Sequence, residues 1–216
     1  MNKTLITIGI IVLIVIILYS TFKGAYNNMV TKSQDTQAKW AQVESKYQRR
    51  TDLYNSVIGV IQSSAQFEAN TLEAVIAARA KATSVTVDPS KLSPESIQQF
   101  QDAQNQFSSS FSRLMVVVEQ YPTLQTTQQF KDFQTQIEGT ENRINKARDE
   151  FNQSIQDYNT YIKKFPTNLM SGMFGFSEKG YFKSNPGSET PPDTHINVNP
   201  APAPASTPAA ADTSKK

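Results

Sequence analysis

The chain of 216 residues has no cysteine and a single histidine, His195, which lies in a proline- and alanine-rich C-terminal segment. The missing cysteines exclude disulfides, thiolate metal sites and thiol nucleophiles. One histidine outside the helical region cannot complete a Ser-His-Asp triad there or supply the two Glu-x-x-His motifs of a di-iron bundle. The sequence therefore predicts no catalytic, cofactor-binding or metal-binding residues, no cofactor, and a protein that is not an enzyme.

Neither sign of charge predominates, because the formal net charge is only +2 at pH 7. Nucleic-acid-binding domains usually carry a strongly basic face, so no nucleic acid partner is expected. Gly172 and Gly175 do not form a phosphate-binding loop, because no Gly-Lys-Ser/Thr follows them.

One long apolar run is present, from Thr4 to Phe22, and no charged residue interrupts it. As a helix these 19 residues would span roughly 28 Å, close to the hydrocarbon thickness of a bilayer. A cleaved signal peptide is the alternative, but the residues after the run lack the small-x-small pattern of a cleavage site. We expect an uncleaved single-pass anchor that contacts lipid through residues 4–22.

The side of the membrane is less well defined by the sequence. Lys23, Lys32 and Lys39 follow the run closely. Because positive charge is retained in the cytoplasm, they favour a cytoplasmic main domain, although long domains can translocate despite such a bias.

Helical periodicity follows the apolar run. Apolar residues recur at alternating spacings of three and four in four segments, residues 26–47, 54–75, 97–118 and 130–165. This spacing places them on one seam of each helix, as in bundle packing. The prediction is an all-α fold in which an N-terminal transmembrane helix precedes an antiparallel four-helix bundle.

Prolines mark two of the three breaks between these segments. Pro89 and Pro94 separate the second and third segments, and Pro122 separates the third and fourth. Ser93 before Pro94 is typical of an N-cap followed by proline at the first helical position. The first break is open: residues 49–53 contain no proline or glycine, so either a new helix begins there or the first two segments form one long bent helix.

Four charged residues lie on or beside the seams: Glu68, Arg79, Glu141 and Arg148. A charge that faces a core is costly unless it is paired. They are interpreted either as structural ion pairs at the bundle edge or as a polar partner site.

Three domains are expected: a transmembrane anchor over residues 1–23, a helical bundle over 24–183, and a disordered tail over 184–216. The tail is predicted because proline cannot continue a helix and few of its side chains are large enough to bury.

Several long motifs closely resemble the LemA family. They are WAQVESKYQRRTDL at residues 40–53, EANTLEAVIAARA at 68–80, IEGTENRINKAR at 137–148 and FPTNL at 165–169. The likeness covers roughly residues 26–182. It implies a bacterial, membrane-anchored, antiparallel four-helix bundle, and it implies no catalytic residues.

These observations favour a non-enzymatic interaction or scaffold protein at the bacterial membrane, with a membrane protein as its partner. A self-associating cell-envelope structural or stress factor is the alternative, and an enzyme with an unrecognised site is the third reading. In an up-down-up-down bundle the aromatic segment after Phe165 returns to the membrane. That segment is expected either to close the end of the bundle or to contact lipid or a membrane-embedded partner.

Overall fold

The computed structural model describes residues 3–62, 69–121 and 127–184. This part of the chain is helical and contains no strand. Its helices are α1 (Lys3–Gln62), α2 (Ala69–Ser84), α3 (Pro94–Val118), α4 (Gln128–Lys163) and α5 (Thr167–Met173). The all-α prediction is confirmed. The described residues up to Lys183 form one compact unit, and the predicted tail lies outside the described residues beyond Ser184.

The first helix is continuous from the apolar run into the bundle. It has 60 residues and is therefore about 90 Å long. Residues 4–22 are exposed throughout. Among the described residues, this is the one helix long and apolar enough to cross a membrane.

The helix passes through residues 49–53 without a break, so a new helix does not begin there and the continuous alternative is correct for this region. Neither proline nor glycine interrupts the backbone, and the Gln48 amide donates to the Asp52 carboxylate one turn later at 2.9 Å. The predicted second segment is divided, with Tyr54 on α1 and Val75 on α2. The connection lies within residues 63–68, outside the described residues. The apolar spacing continues across this connection, which is why the spacing did not locate it.

The part of the bundle farthest from the apolar run at residues 4–22, called here the far half, is a four-helix core. Helices α1 to α4 all contribute buried side chains there. The largest are Tyr54 and Ile61 of α1, Val75 of α2, Phe107, Phe111 and Leu114 of α3, and Phe130 of α4. Burial of such side chains contributes roughly 1.5–3 kcal/mol each relative to exposure.

The α2–α3 hairpin ends before the membrane end of the bundle. Helix α3 begins at Pro94, where the Ser93 hydroxyl accepts a hydrogen bond from the Ser96 backbone N–H at 3.2 Å. The predicted cap is thus confirmed. Between the start of α3 and the membrane, α1 and α4 are covered instead by α5 and by residues 174–184. We call residues 174–184 the C-terminal strap. The cluster at this end includes Met29 of α1 and Met170 of α5.

The strap crosses the start of α3 at Gly180. The Gly180 N–H donates to the Leu92 carbonyl at 2.9 Å. A Cβ at this position would lie 2.5 Å from the Pro94 Cα. Only glycine allows the two backbones to approach this closely.

Candidate functional site at the membrane end of the bundle

The C-terminal strap is attached to the bundle by side-chain amides. Each amide donates to a strap carbonyl and accepts from the N–H of the same residue, at 2.7–3.0 Å. The pairs are Asn159 with Lys179, Asn152 with Phe182, and Gln101 with Lys183. The strap backbone is therefore satisfied by helix side chains in place of a neighbouring strand.

Phe182 is the apolar anchor of the strap. Its ring is stacked on Trp40 at 6.0 Å and lies 5.5 Å from the Phe151 ring. Arg148 covers its outer side, with the guanidinium 4.9 Å from the ring centroid and a 2.9 Å hydrogen bond to the Lys183 carbonyl. The strap consequently completes the middle of the core.

Lys179 is buried without a carboxylate partner. Its side chain is 3% exposed, and its ammonium group donates to the Ser33 and Thr36 hydroxyls of α1 and lies 4.6 Å from the centroid of the Tyr158 ring. In the described part of the chain no acidic side chain forms a salt bridge with it. Burial disfavours the charged form and lowers the pKa of Lys179 to about 8.

A second buried cation, Arg50, forms a polar layer in the far half of the bundle. Its guanidinium donates to the Gln104 side-chain oxygen at 2.6 Å and to the Glu141 carboxylate at 3.4 Å. It also lies 4.7 Å from the centroid of the Tyr47 ring and 5.8 Å from that of Tyr54. We interpret these contacts, which join α1, α3 and α4, as structural ones that fix helix register.

The three seam charges within the described residues, Arg79, Glu141 and Arg148, do not converge on one site. Glu68 lies outside the described residues, and Arg79 is exposed on α2. Glu141 belongs to the polar layer, whereas Arg148 holds the strap. Glu141 was expected to form a structural ion pair or a partner site, and it pairs with Arg50 in the layer; Arg50 and the buried Lys179 were not predicted. Polar residues on the predicted seams were the sequence signal of buried polar contacts: Ser33 and Thr36 in the first segment and Gln104 in the third.

Four large apolar side chains are exposed where α4, α5 and the strap meet: Phe165, Leu169, Met173 and Phe174, which we call the membrane-end patch. Their exposed fractions are 81%, 64%, 77% and 44%. The Phe174 ring contacts that of Tyr26 on α1, with centroids 5.0 Å apart. The patch thus lies beside the bundle end of the apolar span.

Metal-binding clusters of three or more His, Cys, Asp or Glu side chains are not found in the described ranges. The exposed apolar span, the bundle continuous with it and the patch beside it define a membrane-anchored all-α protein. The LemA family model matches residues 39–196. The chain belongs to the LemA family, as its motifs predicted.

Named relatives support the same assignment. Magnetosome proteins MamQ 1 and MamQ 2 of Paramagnetospirillum magneticum are each 30% identical over 201 residues, covering 83% of this chain and 72% of theirs. Magnetosome protein MamQ of Magnetospirillum gryphiswaldense is 28% identical over 205 residues, covering 85% and 74%.

Proposed function

We propose that this LemA-family chain is a non-enzymatic interaction protein that holds a helical bundle at a fixed distance from a bacterial membrane. The observation that carries the proposal is the continuity of α1. From Phe22 to Gln62 the helix rises through 40 residues, or about 60 Å at 1.5 Å per residue. Such a helix presents the far end of the bundle well beyond the lipid headgroups.

The packing supports a binding role over catalysis. Trp40, Phe107 and Phe151 are fully buried and fill the centre of the bundle. Two of the charged groups considered for a polar pocket have structural contacts instead: Glu141 binds Arg50, and Arg148 binds the strap. Surface grooves remain as the places where a ligand could act.

A groove in the far half has the composition of a protein contact. It has a volume of about 200 Å³ and is lined by Met115, Glu119, Phe130, Lys131 and Gln134. An apolar floor with a charged rim is the usual composition of protein interfaces. We propose this groove as the contact for a membrane-protein partner.

Photocrosslinking in intact membranes tests the proposal. A photoreactive residue at Gln134 should give one defined protein adduct, whereas the same group at Gln153, exposed elsewhere on α4, should give none. The adduct should diminish when Glu119→Lys and Lys131→Glu reverse the rim charges. An adduct with a second copy of the chain would instead support the self-associating envelope factor, and equal labelling from both positions would contradict a defined groove.

We also propose that the bundle lies in the cytoplasm, as the lysines after the apolar run favour. Because the chain has no cysteine, one introduced cysteine at Gln153 reports its side. An impermeant maleimide should label it only after the membrane is opened. Labelling of intact cells would place the bundle outside.

A further inference from the structure

Helix α5 exposes an apolar face that a water-soluble helix would not. Thr167, Met170 and Ser171 are buried, and the two hydroxyls donate to carbonyls of α4. These contacts fix the rotation of α5. Leu169 and Met173, one turn apart, are therefore held outward at 64% and 77% exposure.

The position of this face relative to the bilayer follows from its contacts with α1. Met170 packs in the same cluster as Met29, and the Phe174 ring lies 5.0 Å from that of Tyr26. Tyr26 follows Phe22, the last apolar residue of the span, by four residues, or about 6 Å along the helix. The headgroup region on each side of the hydrocarbon core is roughly 5–8 Å thick. By the same measure Met29 lies about 10 Å beyond Phe22, so the patch extends from headgroup depth at Phe174 to the outer edge of the headgroups at α5.

Basic side chains surround this end of the bundle. Lys23 and Lys164 are exposed. Lys32 and Lys164 line one groove of about 310 Å³ together with Tyr161 and Asp157. Lysines near an anionic lipid surface are attracted to it electrostatically, and exposed apolar side chains next to them complete the pattern of an interfacial contact.

We propose that the membrane-end patch, formed by Phe165, Leu169, Met173 and Phe174, inserts into the interface of the same bilayer that α1 crosses. The occupant is the anionic lipid surface, because the patch is continuous with the apolar span and bordered by lysines. The protein then has two membrane contacts. The second contact fixes the direction in which the bundle faces, which a single helix leaves free to rotate.

Lipid quenching of a fluorophore on the full chain tests the contact. Single-cysteine variants Met173→Cys and Val116→Cys carry the dye NBD, and the protein is reconstituted in vesicles of phosphatidylcholine and phosphatidylglycerol. Val116 is the matched control, since it is 61% exposed but lies on α3. A nitroxide at a shallow acyl position should quench the dye at 173 several-fold more strongly than the dye at 116.

A substitution within the patch separates insertion from an effect of the dye. Leu169→Asp should weaken quenching at 173, and Val116→Asp should leave it unchanged. Both sites are exposed, so circular dichroism should show the native helix content in each variant. Equal quenching at 173 and 116 would overturn the proposal. So would a dye at 173 that is shielded from water but not quenched by lipid, because a protein surface would then cover the patch.

Discussion

Replacement of Lys179 by methionine is predicted to remove a pH dependence of stability. The folded-state pKa is about 8, whereas an unperturbed lysine has a pKa near 10.4. Between these values the unfolded chain binds more protons than the native one. Stability therefore rises with pH from about 8 to 10.4.

The magnitude follows from the two pKa values. Integrated between pH 8 and 10, the free energy of unfolding should rise by about 2 kcal/mol, and the full difference is about 3 kcal/mol. Burial raises the pKa values of Tyr54 and Tyr158 to about 12. Because tyrosines in the unfolded chain lose protons near pH 10, their contribution to stability falls above that pH. These tyrosines are the same in the parent and in the lysine variant, so the difference between the two pH profiles isolates the lysine.

Urea unfolding of the full chain in nanodiscs, followed by the fluorescence of Trp40, measures this difference. Trp40 is the one tryptophan, and it stacks on Phe182 of the strap. In Lys179→Met the rise between pH 8 and 10 should disappear. Stability at pH 7 should equal or exceed that of the parent, because an unpaired buried charge is replaced by an apolar chain.

The control is Lys183→Met, which removes an exposed lysine from the same strap and should preserve the pH dependence. Two results would refute the reasoning. One is the same pH profile in both variants. The other is a large loss of stability at pH 7 in Lys179→Met, which would mean that the charge stabilises the fold.

Two further substitutions test the strap contact and the polar layer. Gly180→Ala should destabilise the fold by about 2 kcal/mol through overpacking against the start of α3, whereas Gly139→Ala, with open space at its Cβ, should stabilise α4 by about 0.5–1 kcal/mol. Equal effects on the urea midpoint would count against the close approach. Glu141→Gln should lower the free energy of unfolding by about 1 kcal/mol, because Arg50 loses its charged acceptor. The loss is modest because the carboxylate is only partly buried. The exposed Glu138→Gln should change the free energy of unfolding by less than about 0.5 kcal/mol, and equal losses in thermal unfolding would contradict a register-fixing pair.

The sequence allowed the helices, the anchor and the family to be predicted because these depend on local repetition. Spacings of three and four reveal the apolar face of a helix even when its ends are not known. Ser93-Pro94 marks a helix start because the capping interaction joins residues close in sequence. The connection between α1 and α2 has no such local marker within the apolar pattern. The sequence therefore left open whether a helix ends within residues 49–53 or continues through them.

The contacts of the strap could not be predicted in the same way. Lys179 reaches hydroxyls on α1 that are 143 and 146 positions away in sequence. Asn152 and Asn159 lie on α4 at positions that bundle periodicity treats as polar or peripheral. Their role depends on a nonhelical segment being packed against them, and periodicity carries no information about such a segment.

The membrane anchor and the bundle are expected to form one rigid unit through α1. Spin labels at Thr21 and Gln48, both exposed on this helix, test it directly in nanodiscs. The helix rise places the two positions about 40 Å apart, and pulsed EPR should give one narrow distance distribution near that value. A broad distribution that extends to much shorter distances would show a hinge near Gly24 and would contradict the account.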